Sequence, residues 1–197
     1  MQMKTEFGKF IFLFPILFSS YIIAQSKTDV FSITRLNINI VINKSTDELN
    51  RLWNAKPGFE ASVEMPFYYG TIVGGIRFLP YRAKGNIHHN INAAFYFAGW
   101  GQKLNLPVSL EWYNGFKVGA FEMTFDGDSL SDEQHHKLQL SAGVSSRMSL
   151  YIIHNFMLFV AVDYAAVFTH KRIELFLLSG GISYSFATPI WLKNFLK

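Results

Sequence analysis

The side chains best suited to acid–base chemistry or metal binding near neutral pH are histidines, and the sequence has six: His88, His89, His135, His136, His154 and His170. A triad-type hydrolase needs a serine and an acidic group beside one of them. Neither histidine of the first pair has a serine two positions further on. Adjacent histidines on a strand point to opposite faces and make poor joint metal ligands. We therefore predict no catalytic residue and no metal ligand, and expect a protein that is not an enzyme.

Other sequence motifs for ligands are weak as well. Asp126-Gly127-Asp128, followed by Asp132 and Glu133, does not have the spacing of a twelve-residue calcium loop. A phosphate-binding glycine loop and the Gly-x-Ser-x-Gly motif are both missing from the sequence. The chain has no cysteine, which excludes disulfides, thiolate zinc sites and cysteine nucleophiles. The net charge of +4 comes from scattered Lys and Arg without a basic stripe. We expect no cofactor and no nucleic-acid partner.

The first 24 residues predict a secretory signal peptide. Lys4 and Lys9 supply the positive region in front of an apolar stretch that runs from 10 to 23, and Ala24 ends this stretch. A retained membrane anchor is the alternative, but the apolar stretch is shorter than the roughly 20 residues that a membrane span needs. Export with cleavage after Ala24 would leave Gln25 as the new N-terminus.

After the signal peptide, apolar and polar side chains alternate with the period of two that is typical of strands. In 58–67, for example, Phe59, Ala61 and Val63 form an apolar face opposite Glu60, Ser62 and Glu64. In 87–102, the same reading places Ile91, Ala93, Phe95 and Phe97 on the apolar face. A soluble β-sandwich also alternates. The export signal, the large residues on the apolar faces and the glycines inside strands favour a lipid-facing exterior instead.

Eight strands follow from these patterns: 32–42, 58–67, 71–83, 87–102, 108–125, 136–149, 156–168 and 172–186. The predicted fold is all-β, an eight-stranded antiparallel up-and-down transmembrane β-barrel with meander topology. It occupies 25–187, after the signal peptide 1–24 and before a short periplasmic tail, 188–197. An even strand number places both termini on the periplasmic side, where the short connections 68–70, 103–107 and 150–155 would also lie.

Two local sequence features bear on this strand assignment: a possible turn inside the fifth strand and a possible helix between the first two strands. Asn114-Gly115 is a strong hairpin signal, and a turn there would give nine strands. One long strand with a bulge is favoured, because nine strands would leave a terminus on the wrong side. The segment from Ser45 to Trp53 predicts a short helix that is capped by Ser45 or Thr46. This helix would either cover the outer mouth of the barrel, which is favoured, or contact a partner.

The exported chain resembles the eight-stranded outer-membrane β-barrel families typified by the barrel domain of outer-membrane protein A, in its Bacteroidetes-type forms. The resemblance rests on Pro57-Gly58-Phe59 opening a strand, on Ala98-Gly99-Trp100-Gly101, and on a last strand that ends in Tyr184-Ser185-Phe186. It implies insertion by the barrel-assembly machinery. Many such barrels end in phenylalanine, whereas eleven residues follow Phe186 here.

With lipid against the apolar faces, the polar faces line the lumen. The charged residues predicted to form a lumen network are Arg35, Glu60, Glu64, Arg77, Glu111, Lys117, Lys137, Arg147 and Asp163. Their charges nearly cancel, and eight strands enclose a space that side chains can fill, so we expect an ion-paired plug. Aromatic residues at the periplasmic strand ends predict an interface girdle, made of Phe67, Tyr68, Tyr69, Trp100, Tyr151, Phe156, Phe186 and Trp191.

These features predict an integral outer-membrane barrel, monomeric and in contact with membrane lipid and lipopolysaccharide, that has a structural or surface-interaction role. A conduit or binder for an apolar compound is the first alternative. A barrel enzyme that modifies lipid A is the second alternative.

Overall fold

The computed structural model describes residues 30–44, 48–85, 89–126, 136–170 and 172–196. The predicted signal peptide, the predicted helix cap at Ser45 or Thr46, and His88 and His135 lie outside these ranges. Within the described ranges the elements are β1 (Ile33–Asn43), α1 (Glu48–Leu52), β2 (Trp53–Ala55), β3 (Gly58–Phe67), β4 (Gly70–Ala83), β5 (Ile91–Leu106), β6 (Leu110–Phe125), β7 (His136–Ile153), β8 (Phe156–Val167), β9 (Ile173–Ala187) and α2 (Ile190–Leu196). None of the helices among these residues is long and apolar enough to cross a membrane.

Eight long strands form a closed antiparallel barrel. Each pairs with the next long strand in the chain, and β1 closes the circle with β9 over the register from Ile33–Ala187 to Asn43–Leu177. The three-residue β2 adds to the edge of β4 beyond the end of β3. The predicted eight-stranded meander barrel is confirmed, and each predicted strand end lies within four residues of the observed end.

Strand β6 is continuous through Asn114-Gly115. Its pairing with β5 runs without a break from Ile91–Phe125 to Leu106–Leu110, so the long strand is confirmed and the bulge predicted within it is wrong. The register shift lies instead between β7 and β8, at Tyr151 and Ile153. An Asn-Gly pair favours a tight turn only where its two flanks can pair with each other. Here both flanks pair with β5 and β7, and Gly115 makes room for a neighbouring ring: a Cβ there would lie 2.3 Å from the Tyr113 hydroxyl oxygen.

The two faces of β5 are the reverse of the prediction. Ile91, Ala93, Phe95 and Phe97 are buried inside the barrel, whereas Tyr96 is exposed on the outside. Both faces of this strand are rich in apolar residues, so alternation alone does not say which one meets lipid. The register decides it, because Phe95 pairs with Arg77 of β4, which points into the lumen. The strand also continues to Leu106, through most of the predicted turn 103–107.

The barrel has two different ends. The terminus end, as we call it, carries the start of β1, the end of β9 and the short turns after β3, β5 and β7. The opposite end, called the loop end, carries the longer connections, together with α1 and β2. The helix predicted over Ser45 to Trp53 is observed over Glu48–Leu52, and Trp53 already belongs to β2.

The turn between β5 and β6 contains two residues in the left-handed region, Val108 at φ 65° and Ser109 at φ 57°. A β-branched residue is disfavoured there, because its Cβ crowds the backbone. Val108 is also exposed, so its side chain contributes little packing. We expect Val108→Gly to raise the free energy of unfolding by about 1 kcal/mol. Urea unfolding of the two proteins in lipid vesicles measures this, and a less stable variant would contradict the strain assigned to Val108.

Candidate functional site

The candidate site is the lumen, where polar side chains come together from all around the barrel. Strand alternation sends every second residue inward, and closure of the sheet brings these residues within reach of one another. Among the described residues, nine charged side chains take part in ion pairs there: the cations Arg35, Arg77, Lys103, Lys117 and Arg147, and the anions Glu60, Glu64, Glu111 and Asp163. They divide into two clusters at different depths.

The first group, the terminus-side cluster, consists of Arg35, Glu64, Lys103, Glu111 and Arg147. Arg147 binds both carboxylate oxygens of Glu64, with one bond of 2.9 Å from Nη2 to Oε2. Arg35 binds Glu111 in the same bidentate way, with 3.1 Å between Nη2 and Oε2. Lys103 Nζ lies 2.8 Å from Glu64 Oε2 and 3.9 Å from Glu111 Oε1, which links the two pairs. Bidentate pairs of this kind hold both partners in a defined geometry.

The second group, the central cluster, consists of Glu60, Arg77, Lys117 and Asp163. Arg77 donates from Nε to Glu60 Oε2 at 2.6 Å, and its Nη2 lies 3.0 Å from Asp163 Oδ2. Lys117 Nζ lies 3.2 Å from Glu60 Oε1 and 3.0 Å from Asp163 Oδ1. Two cations therefore alternate with two anions in a closed ring of contacts. All four residues are buried, and Arg77 is only 1% exposed.

Neutral polar and aromatic groups support the two clusters. Asn37 donates to Glu64 Oε1 at 2.9 Å and accepts a hydrogen bond of 2.6 Å from the Ser183 hydroxyl. The Lys117 ammonium also lies 4.7 Å from the centre of the Phe97 ring, a cation–π contact. A cavity of about 20 Å³ remains between the clusters, with Asn37, Asn39 and Tyr113 among its lining residues. That volume is close to the minimum for one water molecule, so the space offers no room for an organic ligand.

The interior towards the loop end is apolar. A buried cluster there, called the apolar cluster, consists of Val41, Val73, Leu79, Tyr81, Ile91, Ala93, Phe95, Phe97, Phe121, Met123, Ala165, Val167, Leu175 and Leu177. Leu49 of α1 and Trp53 and Ala55 of β2 pack against it from the loop side. Strand alternation did not predict this region, because every apolar face was expected to meet lipid. The signal was present in β5, where both faces are apolar.

Eight of the nine residues predicted for the lumen network lie in the two clusters, and Lys137 does not. Lys137 is exposed near the loop end, with its ammonium 5.5 Å from the centre of the Phe125 ring, so its assignment to the network is wrong. Strand β7 extends past the buried part of the barrel at this point, and an inward position there meets solvent. Lys103 was not predicted for a related reason: it was expected in the turn 103–107, whereas β5 continues through it.

Most residues of the predicted girdle lie around the terminus end. Tyr68 and Tyr69 form the exposed β3–β4 turn, and Phe156 and Phe186 flank Tyr184 at ring distances of 4.8 and 6.1 Å. The Trp100 ring lies over Gly70, where a Cβ would be 2.5 Å from it, and Trp191 is exposed on α2.

Tyr151 has a second role, because its hydroxyl donates to Glu111 Oε2 at 3.2 Å and so joins the terminus-side cluster. Trp112 lies at the same end of the barrel but was not included in the predicted girdle. Its indole N–H donates to the Ser146 hydroxyl oxygen at 2.9 Å.

The described histidines do not cluster into a catalytic or metal-binding site. His136 Nδ1 lies 3.3 Å from Glu122 Oε1 and 3.4 Å from the Thr124 hydroxyl, in an exposed position at the loop end. Over the described ranges, no three His, Asp or Glu side chains are placed to hold a metal ion.

Comparison with known proteins identifies the fold. No protein-family profile matches the sequence, and no curated protein matches it. Solved structures do match. Neisserial surface protein A is 12% identical, covering 78% of this chain and 96% of that chain with a TM-score of 0.54. The attachment invasion locus protein Ail of Yersinia pestis is 13% identical, covering 79% of this chain and 99% of that chain with a TM-score of 0.51.

The N-terminal β-barrel domain of OprF from Pseudomonas aeruginosa gives a similar result. It is 11% identical, with coverage of 80% of this chain and 100% of that domain and a TM-score of 0.54. At these identities the likeness is one of fold: the chain is an eight-stranded barrel of the kind found in bacterial outer-membrane proteins.

Proposed function

We propose that this chain is an integral, non-enzymatic protein of the bacterial outer membrane with a closed lumen, and that its role is structural or lies in interactions at the cell surface. The outward-facing residues support the membrane location, since they include exposed large apolar side chains on every long strand, such as Ile38, Phe116 and Val160. In this orientation the terminus end faces the periplasm and the loop end faces the exterior. Lipid and lipopolysaccharide then surround a monomeric barrel that the assembly machinery has inserted.

The observation that carries the closed lumen is the central cluster. Its ion pairs join β3, β4, β6 and β8, so they cross the interior in several directions. The terminus-side cluster lies between this layer and the terminus end, and the apolar cluster lies between this layer and the loop end. An ion that entered would have to separate charges whose desolvation costs several kcal/mol each. A barrel closed in this way presents only its outer wall and its ends to other molecules.

Planar-bilayer recording tests the closed lumen. We expect the purified, folded protein to give no stepwise ion conductance, because the two charged clusters and the apolar cluster fill the interior. A general diffusion porin serves as the positive control for the recording. A gel shift between unheated and boiled samples shows that the protein used was a folded barrel. Reproducible conductance steps from the heat-modifiable protein would refute the closed lumen.

Cell assays separate the structural role from the surface role. A strain without the protein receives either the complete chain or a variant in which 127–135 is replaced by a short turn. If both proteins restore the resistance of the envelope to detergent, the role is structural. If only the complete chain restores it, the role belongs to the connection between β6 and β7. Failure of both to change the envelope would count against each role.

A second candidate is binding of an apolar compound at the loop end. The apolar cluster favours it, since fourteen buried residues line the interior beneath α1 and β2. If the cluster opens to admit such a compound, a medium-chain fatty acid should raise the midpoint of urea unfolding of the purified barrel. The same acid should have no effect when Phe121 is replaced by Asp, provided that the variant still shows the gel shift. An unchanged midpoint for the unmodified protein would remove this candidate.

A further inference from the structure

The C-terminal helix α2 carries an apolar surface that the rest of the described chain leaves uncovered. Ile190 is 78% exposed, Trp191 is 71% exposed and Phe195 is 83% exposed. At about 100° per residue these three side chains and Asn194 fall within an arc of about 140° on the helix. The opposite side carries Leu192 and Leu196, which are both half-buried. The helix therefore has one half-buried apolar side and one strongly exposed apolar side.

The position of α2 is defined by the barrel rim. Thr188, between β9 and the helix, is buried, and its hydroxyl lies 2.8 Å from that of Thr34 in β1. The Thr188 amide donates to the Ser32 carbonyl at 3.1 Å. Only Pro189 then separates Thr188 from the first helical residue. These bonds place the start of the helix at the terminus end, directly beside the closure between β1 and β9.

The barrel wall next to the start of α2 also carries an apolar surface. Phe156, Tyr184 and Phe186 form a ladder of ring contacts on β8 and β9, and β9 leads directly into the helix. Lys193, in the last turn, adds a positive charge. Aromatic and apolar side chains beside a lysine are the composition of helices that lie at the boundary between lipid headgroups and acyl chains.

We propose that α2 lies along the inner surface of the membrane at the terminus end, with Ile190, Trp191 and Phe195 in the headgroup region of a phospholipid leaflet. The helix then acts as an interfacial anchor that sets the depth and tilt of the barrel wall at β9 and β1. The proposal rests on the membrane location proposed above, and the occupant it names is the phospholipid surface rather than a second copy of the chain or a soluble protein.

Spin labelling tests this directly, because the chain has no cysteine and an introduced one takes the label alone. The test position is Asn194→Cys, which is exposed on the same arc and leaves the three apolar residues in place. The controls are Ile38→Cys on the outer wall and Asn105→Cys near the tip of the β5–β6 hairpin, both of which are exposed. Each labelled full-length barrel is inserted into vesicles of phosphatidylethanolamine and phosphatidylglycerol. Accessibility to oxygen and to a water-soluble nickel chelate is then compared.

We expect a high oxygen-to-nickel ratio at position 38, a low ratio at position 105 and an intermediate ratio at position 194. Replacing Ile190, Trp191 and Phe195 together by serine should lower the ratio at position 194 several-fold, to that of position 105, while the gel shift is retained. A ratio at 194 equal to that at 105 in the unmodified helix would overturn the proposal, even if position 38 is in lipid. Dipolar broadening at 194 that disappears on dilution with unlabelled protein would overturn it in favour of a second copy. A low ratio at position 38 would instead refute the membrane location.

Discussion

Replacing Arg77 by methionine should lower the free energy of unfolding by about 3–5 kcal/mol, the range found when one partner of a buried ion pair is removed. Arg77 contacts both Glu60 and Asp163, and Lys117 alone among the described cations of the central cluster would remain to balance these two carboxylates. Methionine has a similar length, so the loss reports charge more than volume. Urea unfolding in lipid vesicles, followed by tryptophan fluorescence, gives the difference.

The matched control is Arg82→Met in the same strand. Arg82 lies 3.8 Å from Asp126, but the two side chains are 53% and 47% exposed, so the change should cost less than about 1 kcal/mol. Adding Glu60→Gln to Arg77→Met leaves one cation and one anion in the central cluster and should recover part of the lost stability. Equal effects of the substitutions at 77 and 82 would show that burial of the central cluster does not contribute to the free energy of unfolding.

Gly119→Ala should lower the free energy of unfolding by about 3 kcal/mol, the upper part of the range for overpacking. A Cβ at this position would lie 1.9 Å from the Tyr96 carbonyl oxygen and 2.8 Å from the Phe97 Cα. Both atoms belong to the backbone of β5, so they can move away only if the two strands separate. The measurement is again urea unfolding in vesicles, with the gel shift as a check that the variant forms a barrel.

Gly74→Ala provides the control, because its Cβ would meet nothing closer than the Phe97 carbonyl oxygen at 3.8 Å. Its effect should stay within about 0.5 kcal/mol, as for an unconstrained surface position. Equal stability of the alanine variants at 119 and 74 would contradict this close approach of β5 and β6.

Much of the lumen was predictable from residue order. A strand sends alternate residues to opposite sides, so Arg35, Glu64 and Arg147 could be assigned to the polar side of their strands from local sequence. Eight of the nine predicted network residues lie in the two clusters. Their partners could not be assigned, because pairs such as Arg147 and Glu64 are 83 residues apart in the chain. Which charges meet depends on the stagger of the strands around the barrel.

Period two and the turn-forming residues were enough to predict the strand number, the meander order and the sides of the strands that have one polar and one apolar face. By contrast, the orientation of β5, where both faces are apolar, became apparent only in the folded barrel, and so did the exclusion of Lys137 from the network that Lys103 joins. Register and strand length set these features. Both come from pairing with neighbouring strands, and local composition carries little information about them.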